Sequence, residues 1–86
     1  MPIISRFYGI VITMYFKEHS PPHFHAKYAE WEVLLDIANG QVLDGEFPRK
    51  ALALVREWCE IHKDELLLNW NRVIEKKTPV QIEPLE

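Results

Sequence analysis

Three histidines fall close together in the segment H-S-P-P-H-F-H, at His19, His23 and His25. His23 and His25 are two residues apart. On a strand, that spacing projects both imidazoles from one face, roughly 7 Å apart at Cα. Two imidazoles so placed can converge on one metal ion, with His19 as a third nitrogen across the Pro21-Pro22 pair. Asp36 could supply an oxygen or orient an imidazole. Three protein ligands and an open position form a catalytic zinc site, and manganese or nickel would suit the same donors. The same histidines could instead work without metal, since an imidazole titrates near neutral pH. Metal-free RNA cleavage needs a base, an acid and a cation for the phosphate. His23, His25, Tyr15, Lys17 and Lys27 supply those types. The plainer reading is structural: the histidines hydrogen-bond to Tyr15, Asp36 and backbone on a half-exposed sheet, and Lys27 pairs with Glu32 across strands.

Other residues carry weaker signals. Arg6, Phe7 and Tyr8 could contact a nucleic acid by stacking, or begin the core. Trp58 and Trp70 suit a core or an interface. Arg49, Lys50 and Arg56 form a thin basic stripe. Cys59 lies in an apolar stripe and reads as a small buried hydrophobe. No Gly-rich phosphate loop, nucleophile elbow or CxxC is present.

Elements must position these groups, and the chain bounds what they can be. It has 86 residues, room for one domain. A domain of this size buries only about 60–65% of the surface its unfolded chain exposes, so a partner or a homodimer could add to its core. One cysteine excludes an internal disulfide and fits a reducing compartment. The first sixteen residues lack a basic n-region and a cleavage site. No apolar run approaches the roughly 20 residues that span a bilayer, so the expected location is cytoplasmic. The net charge of −3 argues against broad, charge-driven nucleic-acid binding.

Residues 1–47 read as strands and turns, 48–75 as helix, and 76–86 as an extended tail. Alternation marks a strand over Ile10 to Glu18, then His23 to Tyr28, Trp31 to Ala38, and Gln41 to Leu43. A two-residue loop at Ala29-Glu30 sets Tyr28 opposite Trp31, Ala26 opposite Val33 and Phe24 opposite Leu35 on an apolar face. It sets Lys27 opposite Glu32, His25 opposite Leu34 and His23 opposite Asp36 on a polar one. The preceding connection places Lys17 opposite His23 and Tyr15 opposite His25. Asn39-Gly40 suits a type I′ hairpin. Pro48 is placed in the first helical turn, and Leu52, Val55, Cys59, His62, Leu66, Trp70 and Val73 form a helical stripe, widened by Trp58 and Leu67. A single helix of that length would run about 40 Å, so a break is expected near His62-Lys63-Asp64, with Asp64 as cap. Val80, Ile82 and Leu85 alternate in the tail, which could dock as an edge strand. The expected fold is α+β: a small antiparallel sheet of three to four strands, followed by two helices packed on one face.

The motifs ISRF-GI-I-MY, PPHFHA-Y, D-I-NG-VL-G, PR-AL-LV-EW, H-DELL-NW and the closing IEPLE resemble a prokaryotic family catalogued as a domain of unknown function. The resemblance covers nearly the whole chain. It implies a small bacterial protein whose gene often neighbours another small gene, in pairs that look like toxin–antitoxin modules. It therefore implies a small protein partner. The leading expectation is an interaction protein, one half of such a pair. The alternatives are a histidine-based hydrolase or ribonuclease-type toxin, and a metal-binding module without turnover.

Overall fold

The computed structural model describes residues 2–15 and 19–86. Five strands precede two helices: β1 (Ile3–Phe7), β2 (Ile10–Thr13), β3 (His23–Tyr28), β4 (Trp31–Asp36), β5 (Val42–Glu46), α1 (Arg49–Ile61) and α2 (Lys63–Ile74). The strands form one antiparallel meander in sequence order. Five strands replace the expected three to four, because β1 pairs with β2 through the two-residue Tyr8-Gly9 turn. Both turn residues have positive φ, at 50° and 79°, the requirement of a tight hairpin whose twist matches its strands.

The β3–β4 register is the expected one at all six positions, from His23↔Asp36 to Tyr28↔Trp31. The β2–β3 register differs. Thr13, not Tyr15, lies opposite His25, and β2 ends at Thr13. The Ser20-Pro21-Pro22 connection takes up more chain than a tight hairpin would. A shift of two residues keeps every side chain on its face, so the sorting into faces holds. The expected pairing of Lys17 lies outside the described residues. At the β4–β5 loop only Gly40 takes a positive φ, at 72°. Asp36 and Gln41 close that loop through Asp36 N–H to Gln41 O at 2.9 Å. It is a longer turn than the two-residue I′ form that Asn39-Gly40 implied.

β5 runs further than expected, through Gly45 to Glu46. The φ of Gly45 is +87°, and a Cβ there would sit 2.3 Å from Glu32 O. Only glycine lets β5 approach β4 this closely.

Pro48 is the N-cap, one residue before the first turn, and its carbonyl accepts from Leu52 N–H at 2.8 Å. The helical pattern breaks at His62, where φ is −110° and ψ 25°. Asp64 is not the cap; it sits with Glu65 in the first turn of α2, where carboxylates oppose the helix dipole favourably. The core joins Phe7, Ile12, Phe24, Val33 and Leu35 of the sheet to Val55, Trp58, Leu66, Trp70 and Val73 of the helices. Trp58 is its hub, with its ring centroid 5.4 Å from Phe7 and 5.8 Å from Phe24. Leu67 is exposed rather than part of the stripe.

The tail docks without forming a ladder. Ile82 is buried, and its N–H donates to Ile4 O at 2.8 Å. Gln81 Nε2 donates to Ile3 O, and Trp58 Nε1 donates to Glu83 O at 2.8 Å. Asn69, wholly inside, both donates to Val80 O and accepts from Val80 N–H, each at 2.8 Å. A single buried amide thus clamps the tail to α2.

Candidate functional site

One face of the sheet packs through Phe7 and Phe24 on Trp58 of α1, and the other carries the histidines. Strand alternation puts His23 and His25 on that second face, with Thr13 opposite His25. Their ring centroids are 5.6 Å apart. His23 Nδ1–H donates to Pro21 O at 2.8 Å, and His25 Nδ1–H donates to Glu32 Oε2 at 3.2 Å. A carbonyl and a carboxylate can only accept, so each neutral ring has its proton on Nδ1 and its lone pair on Nε2.

The surroundings of the two rings differ. His23 is only 6% exposed, and its ring lies 5.1 Å from that of Trp70. It therefore ties the start of β3 to α2. His25 is half-buried. Tyr15 sets its edge against the His25 ring at a centroid distance of 4.3 Å and an interplanar angle of 78°, an edge-to-face contact. Strand pairing does not bring Tyr15 there, since β2 has already ended; the chain beyond Thr13 carries it over the face.

The other two expected donors are Asp36 and His19. Asp36 is the Cα partner of His23, and its Oδ1 accepts Ala38 N–H at 2.8 Å, holding the β4–β5 turn. His19 is exposed in the connection before the prolines. Among the described residues, no group of three or more His, Cys, Asp or Glu side chains is placed to hold a metal ion. Lys17 lies outside the described residues. The residue types therefore gather as Tyr15, His23 and His25, with Glu32 as an addition that sequence reasoning assigned to Lys27. Glu32 stands diagonally across from His25, two positions from its direct partner Leu34. That diagonal is within reach of long side chains and was the available signal. Trp70, read as a core or interface residue, is also the neighbour of His23.

Chemically, a carboxylate-oriented imidazole beside a phenol is a unit that can move protons. Its reach is limited, because Tyr15 lies against the ring and the His25 side chain is only 12% exposed.

A second set of exposed groups lies at the hairpin tips. Tyr8 lies in the turn after β1, and Tyr28 and Trp31 flank the β3–β4 loop; all three are exposed. The tips approach each other, as a Cβ added at Gly9 would stand 3.3 Å from Tyr28 Cε1. Beside them a shallow hollow is lined by Glu30, Trp31, Glu32, Gly45 and Glu46. Glu32 and Glu46 are direct cross-strand partners, and like charges so placed repel. Of the N-terminal trio, Phe7 belongs to the core while Arg6 and Tyr8 are exposed. Cys59 is buried as expected, and burial pushes its thiol up to about 11. No helix among the described residues is long and apolar enough to cross a membrane.

Residues 9–71 match the sequence model of the family described as Domain of unknown function (DUF4160), and the chain belongs to that family. The matched span includes the histidines and most of both helices. No curated protein and no solved structure matches the chain.

Proposed function

We propose that this member of the DUF4160 family is a small cytoplasmic interaction protein, one component of a toxin–antitoxin-like pair whose partner is a small protein encoded beside it. The observation that carries this reading is the aromatic patch at the hairpin tips. Tyr8, Tyr28 and Trp31 are 59%, 37% and 37% exposed. Aromatic side chains ringed by polar groups are the usual anchors of protein interfaces. The ring here is acidic: Glu30, Glu32 and Glu46 line the adjoining hollow. Lysine or arginine from a partner would relieve the Glu32–Glu46 repulsion. The partner segment that fits is therefore basic.

The test is coexpression with the neighbouring gene and purification through a tag on that product. The expected result is a stoichiometric complex that Trp31→Ala weakens by about tenfold or more. Recovery of partner-free protein from that coexpression overturns the reading.

A second reading, a metal-free hydrolase or ribonuclease-type toxin, is favoured by one observation: Glu32 orients His25 while Tyr15 packs on its ring. In that case His25→Ala folds normally and loses RNA cleavage or growth inhibition. Unchanged toxicity in that variant removes this reading and leaves the first intact.

A further inference from the structure

Helix α2 buries Leu66, Asn69, Trp70 and Val73. A different stripe faces outward. Ile61, at the end of α1, and Leu68 are 61% and 65% exposed. Along α2, Glu65 stands three residues before Leu68 and Arg72 four after it, so these three side chains share the outward stripe. The tail adds Val80, 58% exposed. Between helix and tail runs a groove of about 270 Å³, lined by Glu65, Leu68, Arg72, Val80 and Ile82 among others. Its wall is mainly apolar, with one anion and one cation at its ends.

We propose that this groove is the seat of a second copy of the same chain, in a two-fold dimer with the α2 helices antiparallel. The charge pattern selects that occupant. Glu65 lies one turn before Leu68 and Arg72 one turn after it. A two-fold axis beside Leu68 sets the Glu65 of each protomer against the Arg72 of its partner, twice, and brings the two Leu68 side chains together. Parallel helices would instead oppose Glu65 to Glu65 and Arg72 to Arg72. Self-complementarity of this kind is the condition for an isologous interface. The charged ends are already held in place. Glu65 Oε1 accepts from His62 Nδ1 at 2.6 Å, and Arg72 Nε donates to Thr78 O at 2.8 Å. Each group keeps polar atoms beyond those bonds: the second carboxylate oxygen and the terminal guanidinium nitrogens. Preordered side chains lose less entropy on pairing. This interface lies on α2 and is independent of the hairpin-tip patch.

The experiment is sedimentation velocity on the purified full chain, without any partner, over a concentration series. The expected species has twice the 10.2 kDa chain mass. Leu68→Asp abolishes it while circular dichroism and thermal stability stay those of the parent, since Leu68 is a surface residue. Glu65→Arg and Arg72→Glu each weaken the dimer by about tenfold, and the double exchange E65R/R72E restores it. A parent that stays monomeric throughout, a dimer that survives Leu68→Asp, or a double exchange no better than the single ones overturns the proposal. So does a monomeric parent that forms a complex through α2 only with a different protein.

Discussion

Asn69→Ala is the sharpest test of how the C-terminal tail is held. The side-chain amide is 2% exposed and makes two hydrogen bonds of 2.8 Å to the Val80 backbone. A neutral hydrogen bond contributes a net of about 1 kcal/mol, so losing both costs about 2 kcal/mol if nothing else moves. No further penalty for stranded backbone groups is due, because Val80 is mostly exposed and water can replace the amide. The next link is Ile82, two residues along, buried to 5% exposure and bonded to Ile4 O. If the tail leaves with the clamp, the burial of that side chain is lost too, about another 2 kcal/mol. The structure therefore brackets the loss at about 2–4 kcal/mol. At about 4–8 °C per kcal/mol for a domain of this size, even the lower figure lowers Tm by about 8–16 °C.

Urea unfolding followed by tryptophan fluorescence gives the free energy. Trp58 adds a local report, because its Nε1–H donates to Glu83 O in the same tail. A released tail also exposes surface in the native state and lowers the urea m-value. The Ile82→Ala variant and the double variant complete a cycle. If clamp and tail act as one unit, the two losses are less than additive by at least about 0.5 kcal/mol. A loss below about 0.5 kcal/mol for Asn69→Ala, or strict additivity with Ile82→Ala, refutes the clamp.

Four further outcomes follow from the same geometry. Gly45→Ala forces a side chain into φ +87° with its Cβ 2.3 Å from Glu32 O, so β5 must shift; a loss of about 3 kcal/mol in urea unfolding is expected. Cys59, raised from 9.0 to about 11 chiefly by burial and secondly by Glu60, holds about a hundredfold less thiolate at pH 8 than an ordinary thiol, so iodoacetamide labels the native protein at least that much more slowly than the urea-unfolded chain. The sign of the linked pH effect follows: between 9 and 11 the folded state keeps a proton that the unfolded state has released, so stability falls as pH rises through that window, and Cys59→Ala flattens the fall. Finally, His25→Ala removes a half-buried ring and its contact with Glu32 at 3.2 Å; the fold tolerates this at a cost of about 1 kcal/mol in thermal unfolding.

Local chemistry made part of this fold legible. The β3–β4 register was readable because a two-residue loop leaves one pairing that sorts Phe24, Ala26 and Tyr28 from His23, His25 and Lys27. The break at His62 followed from length alone, since one helix would overrun the domain. Long-range contacts were not readable. β1 was hidden because its turn is Tyr8-Gly9 and tyrosine rarely accepts a φ of 50°; tertiary contacts overrule that preference. β5 extends past the expected Leu43 because the missing Cβ of Gly45 lets the strands meet, a close approach that spacing alone does not reveal. Asn69 was passed over inside the helical stripe because only the docked tail gives a buried amide its partners. The Tyr15–His25 contact was expected from pairing, but a different path of the chain produces it.

The histidine motif illustrates why residue types alone leave chemistry open. His23 and His25 are equivalent in sequence, each projecting from the same face, and each holds its Nδ1 proton against an oxygen acceptor. Their surroundings separate them. His23 lies against Trp70 at 6% exposure, so replacing it disturbs the junction of sheet and helix whatever else it does. Among the described residues, His25 has both an orienting carboxylate and a neighbouring phenol, which makes it the ring to test for proton transfer. An activity lost in His23→Ala therefore says little, because unfolding explains it equally well. An activity lost in His25→Ala, with the fold intact, is informative. The docking surfaces lie apart from that ring: register puts Trp31 on the opposite face of the sheet from His25, and Leu68 is on the outer side of α2. Trp31→Ala, Leu68→Asp and His25→Ala thus perturb three different sites, the first and last of them joined by Glu32. A variant that lost heterologous binding, self-association or catalysis singly would assign that property to one surface. If Trp31→Ala also removed catalysis, the hairpin-tip patch would have to act on His25 through Glu32, the one residue shared by the acidic rim and the imidazole.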